Sequence, residues 1–512
     1  MRILILNPPF VEGFCRSQRW AAKTRARVMR HPDGLATAAA LLRSRGHQVS
    51  LIDGPAANIE PARIPELTLR EKPDMVVVDS TTPSIFNDIA CCHAIKNSMS
   101  PPPIIIMVGP HASALPRQTL ELANGAVDAI AAGEYDETLC EAASLFTHSV
   151  PADAIEFVRT SGNSEKCAVE PGKSIIPGLW ICRPDRQAST LAIAEPQPRP
   201  FIADLDSLPF PAWDLLDLKP YYDGIKLQPF LTINGSRGCP YRCSFCLWPQ
   251  VMHGRNLRLR SPESIVSEME WGLQLMPSLK KGEFFFEDDT FTARPEWALS
   301  VAGEIGSRLP GTVWSVNGRA DLRDESFFRK LARNGLRMLL IGFESGNQDM
   351  LDSMQKGIRA ENFLPFTRAA KAAGITLHGC FVLGMPGETE KSMEETIQTA
   401  LSLPLDTVQF SAAVPFPGTR YYDICVENGW ISPGEWQNWL KNGEQAFVPS
   451  FAGLQGHELE GFKVDAAVDR ALKSFYFRPS WMAKFILGTR DLRDLARKAR
   501  GGVNFLSYLM PR

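Results

Sequence analysis

Strand-sized apolar runs separated by stretches of helical period recur along this chain in two series, and this alternation confines it to parallel-sheet α/β architectures. In the first series, over residues 1–147, the strand candidates are 2–7, 48–53, 74–80, 104–109 and 126–131, with amphipathic stretches such as 34–45 and 85–98 between them. Near-continuous apolar strands of this kind are covered on both faces, so a doubly wound, flavodoxin- or Rossmann-like domain is expected, with its ligand beyond the carboxyl ends of the strands. The second series places strands at 230–234, 283–287, 313–316, 338–343, 377–383 and 407–412 and helices at 261–275, 295–308, 324–334, 359–373 and 390–402. Six βα-type units predict a partial (β/α)6 barrel spanning 229–424, with its active residues at the C-terminal strand ends.

Between the two series, residues 148–228 are rich in proline and poor in helical period, and read as a linker wrapping between domains. Residues 425–512 read as a mainly helical region. A chain of 512 residues with 44% apolar content holds core enough for about three domains. Lysine plus arginine number 55 against 57 acidic residues, a net charge of -2, which argues against a nucleic-acid clamp. No apolar run approaches the roughly 18 residues that cross a bilayer, and the N-terminus reads as a buried strand rather than an export signal, so the cytoplasm is the expected compartment.

Eleven cysteines, eight of them scattered at 15, 91, 92, 140, 167, 182, 380 and 425, predict reduced thiols rather than a disulfide framework. The other three form Cys239-Pro240-Tyr241-Arg242-Cys243-Ser244-Phe245-Cys246, directly after the first barrel strand. Thiolates are soft ligands, and three closely spaced ones can hold three irons of a cubane with the fourth iron open. A structural zinc would need a fourth ligand, for which His253 is the nearby candidate.

This C-x3-C-x2-C loop resembles the signature of the radical S-adenosylmethionine (SAM) superfamily. The resemblance implies a 4Fe–4S cluster on Cys239, Cys243 and Cys246, whose open iron chelates SAM and whose electron cleaves it to a 5'-deoxyadenosyl radical. It also implies SAM contacts at the following strand ends. Glu287, Asp288 and Asp289 would meet the ammonium, Asn317, Arg319, Glu344 and Ser345 the ribose and methionine, and Gly384 and Glu388 belong to a G-x-I-x-G-x-x-E-like region.

The first domain is similar to the cobalamin-binding domain that precedes the barrel in one radical SAM class. That likeness places Ser80, Thr81, Thr82, Gly109, His111, Gly133 and Glu134 around cobalamin, with His111 near its nucleotide tail. No D-x-H-x-x-G motif is present, so the class implies cobalt without a protein histidine ligand. The loop 11–32, with Cys15, Trp20, Arg30 and His31, could reach the lower face of the cobalt.

Phrases such as Phe245-Cys246-Leu247-Trp248-Pro249-Gln250 and Glu344-Ser345-Gly346-Asn347-Gln348 resemble the hopanoid-biosynthesis subgroup that builds the cyclitol ether head group. Where that subgroup leads us to expect threonine the chain has Cys380, either a packing residue or one facing the cavity. The resemblance therefore implies rearrangement or cyclisation of a small or lipid-like substrate, with reduction by a flavodoxin or ferredoxin. The alternatives are cobalamin-dependent methyl transfer to a carbon, phosphorus or arsenic centre, and aminocarboxypropyl transfer from SAM. The RNA methylthiotransferases are a further class, but Cys15, Cys91, Cys92 and Cys140 show no paired ligand pattern for their second cluster. A cofactor sensor that does not cleave SAM is the non-catalytic reading.

Overall fold

The structure is a computed structural model that describes residues 1–17, 21–23, 28–147, 173–174, 176–184, 191–432, 434, 436–437 and 464–487. Trp20 and Cys167 lie outside the described residues. The chain forms two compact units. One is built from Met1–Lys23, Met29–Pro220 and Leu247–Gly254, the other mainly from Tyr221–Cys246 and the described residues from Arg255 onward.

The first unit is organised on β1 (Arg2–Asn7), β2 (Gln48–Asp53), β3 (Met75–Asp79), β4 (Ile104–Val108) and β5 (Ala129–Ala131). They lie side by side in the order β2-β1-β3-β4-β5, all parallel. This is the flavodoxin order, whose switch point falls between β1 and β3. Met75 to Val78 and Ile105 to Val108 are buried without interruption, because helices cover both faces.

The segment expected as a linker adds to this sheet. β6 (Leu179–Pro184) pairs antiparallel with β5, and β7 (Leu191–Pro196) pairs antiparallel with β6. Their brief apolar alternation was obscured by the prolines around it.

In the second unit β8 (Phe230–Ile233), β9 (Glu283–Phe286), β10 (Trp314–Arg319), β11 (Leu336–Glu344), β12 (Thr376–Leu383) and β13 (Thr407–Ala412) form one parallel sheet in sequential order. This is the partial (β/α)6 barrel. Phe343, Phe381 and Phe410 stack in succession at 13° and 19° between ring planes, and Phe363 of the helix Phe363–Ala372 packs edge-on against the first of them. That face therefore meets the helices, and alternation puts Gly342, Cys380 and Gln409, which are register partners, on the opposite face.

The N-terminal end of this barrel is closed by polar groups. Lys226 is fully buried, 3.0 Å from Asp223 and 3.2 Å from the centre of the Phe285 ring. Arg337 donates to Glu283 at 2.6 Å.

An open sheet edge is a template for unwanted pairing. Here the helices Val464–Tyr476 and Pro479–Leu487 protect β13. The Tyr476 hydroxyl accepts from Val408 N at 2.9 Å and donates to Val408 O at 2.7 Å, while Trp481 Nε1 donates to Asp406 O at 2.8 Å. The helical reading of 425–512 applies to these segments, and much of the rest lies outside the described residues. Among the described residues no helix is long and apolar enough to cross a membrane.

Candidate active site

The cysteine loop begins where β8 ends and is anchored before its first thiol. Gly235 N donates to Asp288 at 3.0 Å and Ser236 Oγ donates to the other oxygen of the same carboxylate. Burial pushes the Asp288 carboxyl up to about 7. Asp288 thus engages both oxygens in shaping the loop.

Gly238, at φ +88°, turns the chain into Cys239. Cys239 is buried with its Sγ 3.7 Å from Thr290 Oγ1, and Cys243 and Cys246 are half-buried. Within the loop, Ser244 N donates to Met354 O at 2.9 Å, and Ser244 O accepts from Tyr421 N at 3.0 Å. Tyr241 donates to Asp321 at 3.2 Å, and the Arg319 guanidinium lies 3.5 Å from the centre of its ring.

These contacts hold three soft donors on one turn. Each would take its own iron of a cubane, so the sulfurs need not converge on one point. Among the described residues no group of three or more His, Cys, Asp or Glu is arranged to hold a single metal ion.

The other strand ends supply buried polar groups. Arg319 donates through Nε to Asp321 at 3.2 Å and through Nη2 to Gly357 O at 3.3 Å, while its Nη1 is buried without a partner. Glu388 Oε2 accepts from Gly384 N and Met385 N, its Oε1 is buried without a partner, and burial raises the acid to about 7.

One open guanidinium nitrogen and one open carboxyl oxygen at C-terminal strand ends fit the charged ends of a zwitterion such as SAM. Glu287 is half-buried after β9, and Asn317 donates to Asp288 O at 3.2 Å. Ser345 is buried in a hydrogen bond of 2.9 Å with Thr396 and accepts from Asn347 N at 3.1 Å, so its hydroxyl braces the helix Glu390–Ser402. Glu344 takes a left-handed backbone, φ +68°, at an irregularity in the β11–β12 pairing, and meets Lys356 at 2.7 Å. Tyr241, Asp321 and Lys356 had no distinguishing signal in the sequence.

In the first unit the candidates gather at the C-terminal edge of β3, β4 and β5. Ser80 Oγ donates to Val108 O at 2.6 Å, and Thr82 Oγ1 shares a 3.0 Å hydrogen bond with His111 Nδ1. Gly109 sits at φ +99°, and a Cβ there would come within 2.4 Å of Asp79 Oδ1 and of Ser80 O. Only glycine allows the β3 and β4 ends to approach so closely. Gly133 N donates to Ser113 Oγ at 2.9 Å, Thr81 meets Ser84 at 2.8 Å, and Glu134 accepts from Ile202 N at 2.9 Å. These residues cluster beyond the carboxyl ends of the strands, the place where a doubly wound sheet takes its ligand.

Arg16 stands at the centre of the switch point. It donates to Asn7 at 3.0 Å, to Ser84 at 3.2 Å and to Asp88 at 2.5 Å, and the side chains of the Arg16–Asp88 pair are fully buried. Sequence reasoning chose its neighbours instead. Cys15 is buried with its thiol pushed up to about 12, and His31 is buried against Trp213 at a ring distance of 5.3 Å.

Burial lowers the His111 imidazole to about 3. Unfolding frees it to take a proton, so its contribution is present above pH 6.5 and is lost as the pH falls towards 3. Between pH 7.5 and 5, H111Q is expected to lose about 1–2 kcal/mol less stability than the parent. Urea denaturation followed by circular dichroism measures this, and equal losses in the two proteins would refute it.

The profile of the Radical SAM superfamily matches residues 233–400, and that of the B12 binding domain matches residues 21–143. The chain is 27% identical over 492 residues to an uncharacterized methyltransferase of Pyrococcus horikoshii, covering 95% of each. It is 26% identical over 434 residues to the anaerobic magnesium-protoporphyrin IX monomethyl ester cyclase of Rubrivivax gelatinosus, covering 84% of this chain and 70% of the cyclase.

Among solved structures it resembles in fold the radical SAM methyltransferase TsrM of Kitasatospora setae. The TM-score is 0.63 at 20% identity, covering 84% of this chain and 76% of that one. A parallel barrel with the cysteine loop behind its first strand, in one chain with a B12-binding sheet of flavodoxin order, defines a radical SAM enzyme. Its cofactors are a 4Fe–4S cluster, SAM and cobalamin. The expected likeness to the hopanoid subgroup finds no support in these relatives.

Proposed function

We propose that the protein is a cobalamin-dependent radical SAM methyltransferase acting on an unactivated centre of a small or lipid-like molecule. The observation that carries this reading is the likeness to a methyltransferase over 95% of both chains. It replaces the expectation of rearrangement or cyclisation as the leading reaction. When bound, the cluster supplies the electron that cleaves SAM, and cobalamin carries the methyl group.

The chain's own residues hold and orient these groups. Cys239, Cys243 and Cys246 bind the cluster, on a loop fixed by Asp288, Met354 and Tyr421. Arg319 and Glu388 take the charged groups of SAM. Ser80, Thr82 and Gly109 receive the cobalamin tail, with His111 neutral beside them. A flavodoxin or ferredoxin in the cytoplasm supplies the electron.

Anaerobic reconstitution with iron, sulfide, cobalamin and reductant, with candidate substrates present, tests this. S-adenosylhomocysteine that accumulates only with added cobalamin, together with 5'-deoxyadenosine, is the expected result. The cyclase relative favours ring formation as the second reading. Release of 5'-deoxyadenosine without S-adenosylhomocysteine would establish that reading instead.

A further inference from the structure

Lys356 follows the short helix Gln348–Ser353 and is 5% exposed. Its ammonium lies 2.7 Å from Glu344 Oε1. The pair sits directly over β11: a Cβ on Gly342 would come within 2.3 Å of that carboxylate oxygen and 2.8 Å of the ammonium. Glycine at 342 and the left-handed turn at Glu344 make room for the pair.

The turn carrying Lys356 is laced to the cysteine loop on both sides. Ser244, next to Cys243, bonds Met354 O at 2.9 Å, and Arg319, stacked on Tyr241, bonds Gly357 O at 3.3 Å. Burial alone would lower the Lys356 ammonium, yet Glu344 and then Cys243 outweigh it and leave it raised. It stays charged beside Glu344.

A buried ion pair contributes little stability over apolar residues of equal volume. The left-handed backbone at Glu344, which a residue with a side chain rarely adopts, adds strain. Strain maintained around a charge pair at this place points to function.

We propose that Lys356 is a positioning charge for the iron–sulfur site, raising the reduction potential of the cluster held by the neighbouring cysteines. This rests on the assignment of the cluster to Cys239, Cys243 and Cys246. One-electron reduction adds negative charge to a cluster already made anionic by its thiolates, and net charge nearby is a main determinant of such potentials. The electron comes from the external reductant, and at Lys356 no bond changes and no proton moves. Glu344 fixes the ammonium and partly offsets its charge.

The test is redox titration of the reconstituted holoenzyme followed by electron paramagnetic resonance, with iron and sulfide content measured in parallel. K356M is expected to lower the midpoint potential, K356R to stay close to the parent, and E344Q to raise it. Opposite shifts distinguish an electrostatic role from structural disturbance, which would move both variants the same way. An unmoved potential in fully loaded K356M, or shifts of one sign in K356M and E344Q, overturns this inference alone. Failure of the parent to take up a cluster overturns the cysteine assignment and this inference with it.

Discussion

In C239A, C243A and C246A alike, reductive cleavage of SAM is expected to fall below detection, with loss of the cluster's visible absorption. Each thiolate would hold a separate iron, so removing one would leave the cubane short of a ligand. Four buried cysteines elsewhere are poor substitutes. Burial pushes the thiols of Cys91, Cys140 and Cys425 up to about 12 and that of Cys182 to about 11, so they keep their protons at neutral pH. C425A, in the helix Arg420–Glu427, serves as the control and keeps its cluster. Product chromatography after anaerobic reconstitution makes the comparison. Retained cleavage in all three loop variants would overturn the assignment of the cluster to this loop.

The largest expected effect on folding lies in the first unit. D88A leaves the Arg16 guanidinium buried without its carboxylate, which costs about 3–5 kcal/mol. Ser84 and Asn7 still bond Arg16 but carry no charge to offset it. Replacing both partners by apolar residues, as in R16M/D88L, is expected to recover most of the loss, because the cost belongs to the unpaired charge. Urea denaturation of the single and double variants measures both effects. A D88A loss below about 1 kcal/mol, the scale of an exposed pair, would show that the network is solvated. Because the pair ties the loop after β1 to the helix Ile85–Ser98, D88A is also expected to retain cobalamin less well.

The cysteine loop stood out in the sequence because three soft ligands crowd into eight residues directly after a strand, and the structure places them on one turn after β8. The βα alternation was legible because strands buried on both faces must be apolar almost throughout. Boundaries failed where polar residues continue a strand: β10 runs on through Asn317, Gly318 and Arg319, past the expected end at 316, because they pair in register with Leu340, Ile341 and Gly342. Asp288 was expected to meet the ammonium of SAM, and the fold directs it onto Gly235 and Ser236, more than fifty positions earlier. The expected reaction type followed a likeness of short phrases, whereas the relative matched over 95% of both chains is named a methyltransferase.

By itself, then, the sequence determined the fold class, the placing of three cysteines on one loop and the strand ends at which a site can be built, since each is written in local spacing and periodicity. Only the tertiary structure decided which charges meet. Arg16 and Asp88 stand 72 residues apart, and Lys356 reaches the cysteine loop through a turn bonded to Ser244. Such pairs are created by parallel crossovers that return distant segments to one sheet edge, and no local pattern encodes which partners arrive there.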